Sequence, residues 1–493
     1  MRVLYFAFPV LFAAACTAPA PEAERPPPPN IVLIIADDLG YNDIGAFGSE
    51  IIQTPHLDEL ATGGVRVTDG YVSAAVCSPS RAGLYTGRYQ SRFGYEFNTS
   101  GRDTVVGLPT EERTLADMLK SAGYATGLIG KWHLGKSEKH HPLNRGFDEY
   151  FGMLAGGSSY IDSRMEGVES WPNRNSPTLP RGESNAIFDG FERVQVSRYL
   201  TDVFAERAVD FIRRHKDERF FLMLTPNAPH TPLQATSEYV DRYKDVEPAG
   251  RRIFAAMVSS VDDYVGDVVA ELRANGLEEN TLVVFFSDNG CVKYMSQDVC
   301  SNDPLSGSKR FHLEGGIRVP FIFKWQAGLP SGATYSQPVI SLDLFSTLAS
   351  AAGSEETAQD SVNLLPYLRG ENTEAPHEFL FWRAKPNIAV RWGKWKMWKV
   401  NKSDKVLGDM TVGGRRLPQV DYPGDSPMGQ ETVLYDLSMD IGERENLSEN
   451  HPEIVERLES ELEAWNAELA EPLWPSNRST LYDLDGQMVQ LFF

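Results

Sequence analysis

The stretch AAVCSPSRAGLYTGR sets Cys77 beside Ser78, Pro79 and Arg81. Ser78 can cap a helix, Pro79 suits a first helical position and Gly87 is a natural stop, so the spacing predicts a short helix with Cys77 just ahead of its N-terminus. Free backbone N–H groups and the helix dipole favour an anion there, and Arg81, one turn in, adds a guanidinium. A small cysteine packing the helix would look the same in isolation, so the other chemistry-bearing residues must decide. Asp37 and Asp38 follow one apolar run, Lys131 and His133 a second, His230 a third, and Asp288 and Asn289 a fourth. Each alone is ordinary turn or cap chemistry. In open parallel sheets, however, the ligand site lies beyond the carboxyl ends of the strands, and four sequence-distant groups are expected to meet there. Asp37, Asp38, Asp288 and Asn289 form a hard, all-oxygen donor set that suits Ca²⁺ or Mg²⁺ and not Zn²⁺. Arg81, Lys131 and Lys309 surround it with positive charge, and His133 and His230 titrate near neutral pH. A divalent cation, fixed cations and a histidine acid are equipment for transferring a tetrahedral oxyanion.

The elements that must position these groups are legible as periodicity. IVLIIA (31–36), ATGLIG (125–130), FFLMLT (220–225), TLVVFFS (281–287) and VPFIFKW (319–325) read as five buried parallel strands. RTLADMLKSAGY, VSRYLTDVFAERAVDFIRRHK and RRIFAAMVSSVDDYVGDVVAELRANG carry helical spacing, the first and last stopping at glycine. The expected fold is α/β, a mostly parallel central sheet flanked by helices. Towards the C-terminus, EFLFWRAKPNIAVRWGKWKMWKV and TVLYDL alternate as antiparallel strands do. A helix beginning at Pro452 aligns Ile454, Leu458, Leu462, Trp465 and Leu469 for packing on that sheet. This predicts a smaller C-terminal α+β subdomain.

A chain of 493 residues is too long for one ordinary core. With 47 Lys+Arg against 68 Asp+Glu, its formal charge of −21 argues against nucleic acid or an anionic membrane surface as partner. An anionic substrate must therefore be held by a local cluster of cations. The N-terminus MRVLYFAFPVLFAAACTAPAPEAERPPPPN is a secretory signal followed by a Pro-rich tether. AAAC resembles a bacterial lipoprotein cleavage box with Cys16 acylated, although Ala13 stands where Leu is usual; simple cleavage and secretion is the alternative. Either way the protein is expected to be exported, to the periplasm or cell surface. In an oxidising compartment Cys291 and Cys300 can close a short disulfide loop, which leaves Cys77 unpaired and in need of a chemical explanation. The expected boundaries are 1–16 signal, 17–29 tether, 30–370 catalytic domain and 371–493 C-terminal subdomain.

These residues resemble the type I, formylglycine-dependent sulfatases of the alkaline-phosphatase superfamily. CSPSRAGLYTG is similar to the signature C-x-P-S-R-x-x-L-x-T-G at every defined position, GKWHLG resembles the second signature, and NAPHTP, FSDNG and EGGIRVP follow in family order. The resemblance implies that a formylglycine-generating enzyme oxidises Cys77, recognising it through Pro79 and Arg81. In the hydrated aldehyde one hydroxyl attacks sulfur and the other later expels sulfate. It further implies Ca²⁺, in preference to Mg²⁺, on Asp37, Asp38, Asp288, Asn289 and the modified Cys77. Arg81 would orient that residue, and Lys131 and Lys309 would hold sulfate oxygens. His133 would take the proton from the second hydroxyl, and His230 would act as acid to the leaving alcohol. GSKRFHLEGG departs from relatives, which commonly have Gly after the Lys and Tyr before the Glu, so Arg310 and His312 are candidate substrate contacts.

The function implied is hydrolysis of sulfate esters, with a sulfated polysaccharide as the class of substrate that export suggests. Two other classes compete: a phosphate or phosphonate monoester hydrolase of the same superfamily, and a non-catalytic glycan-binding surface lipoprotein whose Cys77 stays a thiol. Segments 156–196 and 401–430 lack periodicity and are expected to form loops at the pocket mouth. Their aromatics, Tyr160 and Trp171 among them, either stack on sugar rings or cover the core.

Overall fold

The structure, a computed structural model, describes residues 27–99, 105–171, 182, 185–292, 299–403, 429–476, 479–484 and 487–492. The signal segment with Cys16, most of the tether, residues 172–181 and most of 401–430 lie outside the described residues. Among the described residues the chain builds a ten-stranded mixed sheet. Its centre runs Thr281–Ser287, Asn30–Ala36, Phe220–Thr225, Ala125–Lys131 and Glu149–Met153, all parallel. Along Asn30–Ala36 the side chains alternate: Ile31, Leu33 and Ile35 enter one core and Val32, Ile34 and Ala36 the other. Burial on both faces is why the run reads as continuously apolar. Leu200–His215 and Ala249–Ala274 pack in the core of Val32 and Ile34. Cys77–Thr86, Leu115–Ser121 and Leu344–Ala351 pack in the other. Thr114 and Asp117 start the second of these with a reciprocal capping box.

Two strand expectations need correction. The run at 319–325 yields the strand Phe321–Lys324, which pairs antiparallel with Thr281–Ser287. A parallel return requires a crossover to the far end of the sheet. Among the described residues after Thr281–Ser287, Asp288, Asn289 and Lys309 all stay at the carboxyl end, and Phe321–Lys324 re-enters the sheet from that end. The fifth parallel strand is instead Glu149–Met153, too short and too glycine-interrupted for periodicity to announce. Gly152 is required there, since a Cβ would lie 1.8 Å from the carbonyl oxygen of Gly130 on the neighbouring strand.

The C-terminal sheet is antiparallel, ordered Phe379–Ala384, Asn387–Trp392, Trp395–Ser403, Gln487–Phe492 and Ser479–Leu484, with Gly429–Asp436 also on Trp395–Ser403. Helix Pro452–Ala467 buries Leu458, Leu462 and Trp465, and Ile454 and Leu469 pack half-buried beside them. Trp465 stacks on Phe381 with centroids 4.8 Å apart. The sheet is tied to the larger body by Trp382, whose indole N–H donates to the carbonyl of Val72. Lys396 strengthens the tie by pairing with Glu314.

Candidate active site

Register brings the strand ends together. Ala36 pairs with Ser287 and Gly130 with Thr225, so the residues that follow leave the sheet at one edge. Asp37 and Asp38 are buried there, with Asp38 in the left-handed region at φ 66°. Asp288 is fixed by its N–H to the Ala36 carbonyl, and one of its carboxylate oxygens accepts the Asp38 N–H.

Cys77 is the first residue of its helix rather than the residue before it. The cap position falls on Val76, in extended conformation and with no side-chain cap bond. Ser78, expected as the cap, instead donates its hydroxyl to the His133 carbonyl at 2.6 Å, because its side chain is more useful holding the neighbouring strand end. Gly87 closes the helix at φ 61° as expected. Cys77 Sγ lies 2.8 Å from Lys309 Nζ and 3.5 Å from Asp37 Oδ1. Burial, reinforced by Asp288, pushes the Cys77 thiol up to about 12, over the opposing pull of Lys131 and Lys309. As a thiol it stays protonated and is a poor nucleophile.

The expected cations are all buried and all engaged. Lys131 Nζ pairs with Asp37 at 2.7 Å and Lys309 Nζ with Asp38 at 2.5 Å. Arg81 forks onto Asp288 at 2.9 Å and donates to the Lys131 carbonyl. Burial would raise Asp37, but Lys131, then His230 and Arg81, hold its carboxyl well below the ordinary range. Asp288 goes the other way: burial, then the charge of Asp37, pushes it up to about 6. Three carboxylates thus face three cations, and the cluster is close to neutral.

The ligand atoms of Asp37, Asp38, Cys77 and His230 lie within 4.8 Å of one another, a grouping able to hold a metal. Asn289 adjoins it through its amide nitrogen, which donates to Asp38 Oδ1 at 2.7 Å. Its carbonyl oxygen Oδ1 is buried without a hydrogen-bond partner. An orphaned amide oxygen beside two carboxylates fits a hard divalent cation. Asp288 is turned to Arg81 and lies outside that grouping.

His133 is buried, in the left-handed region at φ 60°, with Nδ1 unpartnered. Burial, then Lys131 and Arg81, keep it neutral well below its ordinary pKa. His230 is the more exposed of the two, with Nδ1 2.6 Å from the Thr231 carbonyl and Nε2 3.7 Å from Asp38. Burial lowers its pKa, and Asp37 and Asp38 oppose the drop.

Cys291 and Cys300 are disulfide-bonded as expected. The Cys291 carbonyl accepts the Lys309 N–H at 3.0 Å, so the bridged loop carries a catalytic candidate directly. Of the two substrate-contact candidates, Arg310 takes φ 84° and donates its N–H to the Ala75 carbonyl. His312 is buried, its pKa pushed down to about 3 by burial and by Lys396 of the C-terminal sheet. Tyr160 is fully buried, its single hydroxyl within hydrogen-bond reach of the carbonyls of Asn227 and His230, so it braces the His230 loop rather than stacking on a sugar. Trp171 is half-buried against the core, on a strand paired with Leu233–Thr236. Sequence reasoning missed Tyr160 in this role and also Thr225, whose hydroxyl shares the Lys131 carbonyl with Arg81. Thr225, the last residue of its strand, could have been signalled by that position, whereas Tyr160 lies in a loop with no such mark.

The parallel strands thus deliver carboxylates, cations and a helix-borne residue to one buried point, an arrangement suited to a charged ester. The Sulfatase profile matches residues 29–354, and that of the C-terminal region of aryl-sulfatase matches 375–481. The chain belongs to the sulfatase family of the alkaline-phosphatase superfamily and is a sulfuric ester hydrolase. It is 32% identical to N-acetylgalactosamine-6-sulfatase of Sus scrofa over 88% of this chain and 84% of that protein. Among solved structures it is similar to Ps i-CgsB in complex with k-i-k-neocarrahexaose, at TM-score 0.77 and 34% identity, covering 91% of this chain and 94% of that one. The phosphonate monoester hydrolase of Agrobacterium radiobacter shares the fold, at TM-score 0.63 and 17% identity over 94% of this chain and 99% of that one. No helix among the described residues is long and apolar enough to cross a membrane.

Proposed function

We propose that this enzyme removes sulfate from a sulfated carbohydrate and that Cys77 works as formylglycine, made by a formylglycine-generating enzyme during maturation. The observation that carries this is the placement of the Cys77 side chain at a helix N-terminus, 2.8 Å from Lys309 Nζ, among buried cations. That is a seat for an oxyanion, yet burial leaves a thiol there protonated. Formylglycine, when hydrated, supplies a hydroxyl to attack sulfur and a second to release sulfate. Asp37, Asp38, Asn289 and residue 77, with Asp288 beside them, would hold Ca²⁺, which would supply Lewis-acid charge.

The chain's own residues do the rest. Lys131 and Lys309 hold the sulfate oxygens and Arg81 orients residue 77, and since each already faces a fixed carboxylate they need little reorganisation to do so. His133, neutral and with an unpartnered Nδ1, accepts a proton. His230 holds Nδ1–H on the Thr231 carbonyl, and in its imidazolium form, which Asp37 and Asp38 favour, Nε2–H protonates the departing alcohol oxygen and leaves a neutral imidazole. The carbohydrate reading is supported by the relatives, whose names include a galactosamine sulfatase and a structure bound to a neocarrahexaose. We further propose the four-part division of the chain, export, and a lipid anchor on Cys16.

The test is a mass spectrum of the Cys77 peptide together with sulfate release from a panel of sulfated galactosides, with aryl phosphate as the competing substrate. The peptide is expected to have lost H₂S and gained one oxygen, and Cys77→Ala to abolish turnover. Chelation is expected to stop activity and Ca²⁺ to restore it. Full turnover by enzyme with an unmodified Cys77 thiol, or a preference for the phosphate, overturns the proposal.

A further inference from the structure

Between the strand Glu149–Met153 and Tyr160 the chain reads LAGGSSY. Gly156 and Gly157 are partly exposed, while the residues on either side, from Tyr150 to Ala155 and from Ser158 to Ile161, are buried. Neither glycine has a positive φ, so their backbone does not call for glycine. What calls for it is space. A Cβ on Gly156 would lie 2.7 Å from both Cε1 and Nε2 of His133, closer than real contacts allow. A Cβ on Gly157 would lie 3.5 Å from Cε1 and Nδ1 of His230, an ordinary contact. The two bare peptides therefore lie against the two histidines, one against each.

The segment is held firmly. Ser158 donates its hydroxyl to the Asn185 carbonyl at 2.8 Å, and its own carbonyl accepts the side-chain amide of Asn227 at 3.2 Å. The Tyr160 N–H donates to Gln234 Oε1 at 2.9 Å, and its hydroxyl donates to the His230 carbonyl at 2.8 Å. The segment is thus tied both to the His230 loop and to its own neighbours.

We propose, resting on the function proposed above, that Gly157 forms a side-chain-free wall beside His230 on the alcohol side of the site, and that Gly156 keeps clear the space the His133 ring occupies. Gly157 sets how bulky a ring can stand next to the ester oxygen. That oxygen must reach Nε2 of His230, and the partly exposed Gly157 borders the adjoining Cε1 edge of the same imidazole, where a bulky ring beyond the ester carbon would stand. A saturated sugar ring is thick at that point, with substituents on both faces, whereas an aryl ring is flat. Gly157 is thus a specificity-determining position for sulfates of ring-bearing sugars. Gly156 is a positioning residue that acts through His133.

The experiment compares wild type, Gly157→Ala, Gly157→Val and Gly156→Ala on 4-nitrophenyl sulfate and on a panel of monosulfated galactosides, with thermal unfolding as the check on folding. One added methyl or isopropyl group in a fitted pocket changes discrimination by roughly 10–200-fold. Gly157→Val is therefore expected to lose about 10–100-fold more kcat/KM on the best galactoside than on the aryl sulfate, mainly through KM, and Gly157→Ala to show the same sign with a smaller ratio. Gly156→Ala is expected to lower kcat on both substrates by similar factors, because it displaces His133. Equal losses on both substrates in the Gly157 variants, or a sugar-selective loss carried by kcat rather than KM as removal of the His230 acid would give, overturn the inference while the sulfatase function stands. Failure of wild type on every sulfated galactoside overturns the carbohydrate function and the inference with it.

Discussion

Replacing His230 by alanine separates its chemical role from its structural one. Its Nδ1 is committed to the Thr231 carbonyl at 2.6 Å and its side chain is the more exposed of the two histidines. Truncation therefore removes a proton donor at the mouth of the site without opening the core. A positioned general acid contributes on the order of 10²–10⁴ to a reaction whose leaving group needs a proton, or roughly 3–5 kcal/mol of barrier. A sugar alkoxide is such a leaving group. A nitrophenolate is stable without the proton, so its loss should stay below about tenfold. The assay is kcat on 4-nitrophenyl sulfate and on a monosulfated galactoside, each against wild type, with His230→Gln beside His230→Ala. Glutamine keeps a hydrogen-bond donor but cannot deliver a proton, so both variants should show the same split between substrates. Losses of similar size on the two substrates would refute the role, and rescue of the sugar sulfate by glutamine would reassign His230 to orientation alone.

Cys291→Ala, or reduction of the intact enzyme, should lower stability by about 2–3 kcal/mol through the short loop it opens, and should lower kcat as well because the Cys291 carbonyl holds the Lys309 N–H; unchanged kcat in the reduced enzyme would separate the disulfide from the site. Burial would push His377 down, but Asp343, 2.9 Å from its Nε2, more than offsets this and leaves its pKa raised. Its contribution, ~1.5–3 kcal/mol for a charged hydrogen bond, is therefore complete below the unfolded histidine pKa and fades as pH rises through the raised folded value. Unfolding midpoints of wild type and His377→Gln should converge as pH rises from 6 towards 9, and a gap that widened would reverse the assignment. Trp465→Ala, which removes a buried ring stacked on Phe381, should cost ~3–5 kcal/mol in unfolding experiments; a loss below 1 kcal/mol would mean that the helix does not depend on that contact.

The strand-end groups were legible because a strand buried on both faces has only its ends free for chemistry. IVLIIA and TLVVFFS each hand over to carboxylates, and the parallel register of Ala36 with Ser287 follows once both are central strands. The direction of Phe321–Lys324 was not legible, since apolar periodicity is the same for either direction and only the course of residues 288–320 decides it. The helix start at Cys77 escaped for a related reason: Ser78 and Pro79 carry cap chemistry, but a tertiary partner, the His133 carbonyl, takes the serine hydroxyl. Tyr160 reads from sequence as one more loop aromatic. Its role needs the fold, which sets its hydroxyl under the His230 loop. The diglycine at 156 and 157 likewise gives no periodic signal, because its contribution is an absence of atoms.

The C-terminal sheet bears on the site more closely than its place in the chain suggests. Lys309, which touches both Cys77 and Asp38, lies five residues before Glu314. Glu314 is buried and accepts from Lys396 and from the hydroxyl of Tyr71, and its own N–H donates to Glu443 at 2.6 Å. Lys396 is also fully buried and pairs with Glu443 as well as Glu314, both from outside the sheet strands that carry it. A buried ammonium between two carboxylates is a costly arrangement unless every partner is present. A well-packed apolar contact would join two sheets equally well but would tolerate small slips in register. The ionic contact does not, because a displaced partner leaves a buried charge unpaired. It therefore fixes the segment between Lys309 and Glu314 to a defined position. The cation that faces Cys77 is then held from three sides: by Asp38 at its ammonium, by the disulfide-bridged loop at its N–H, and by the C-terminal sheet through Glu314.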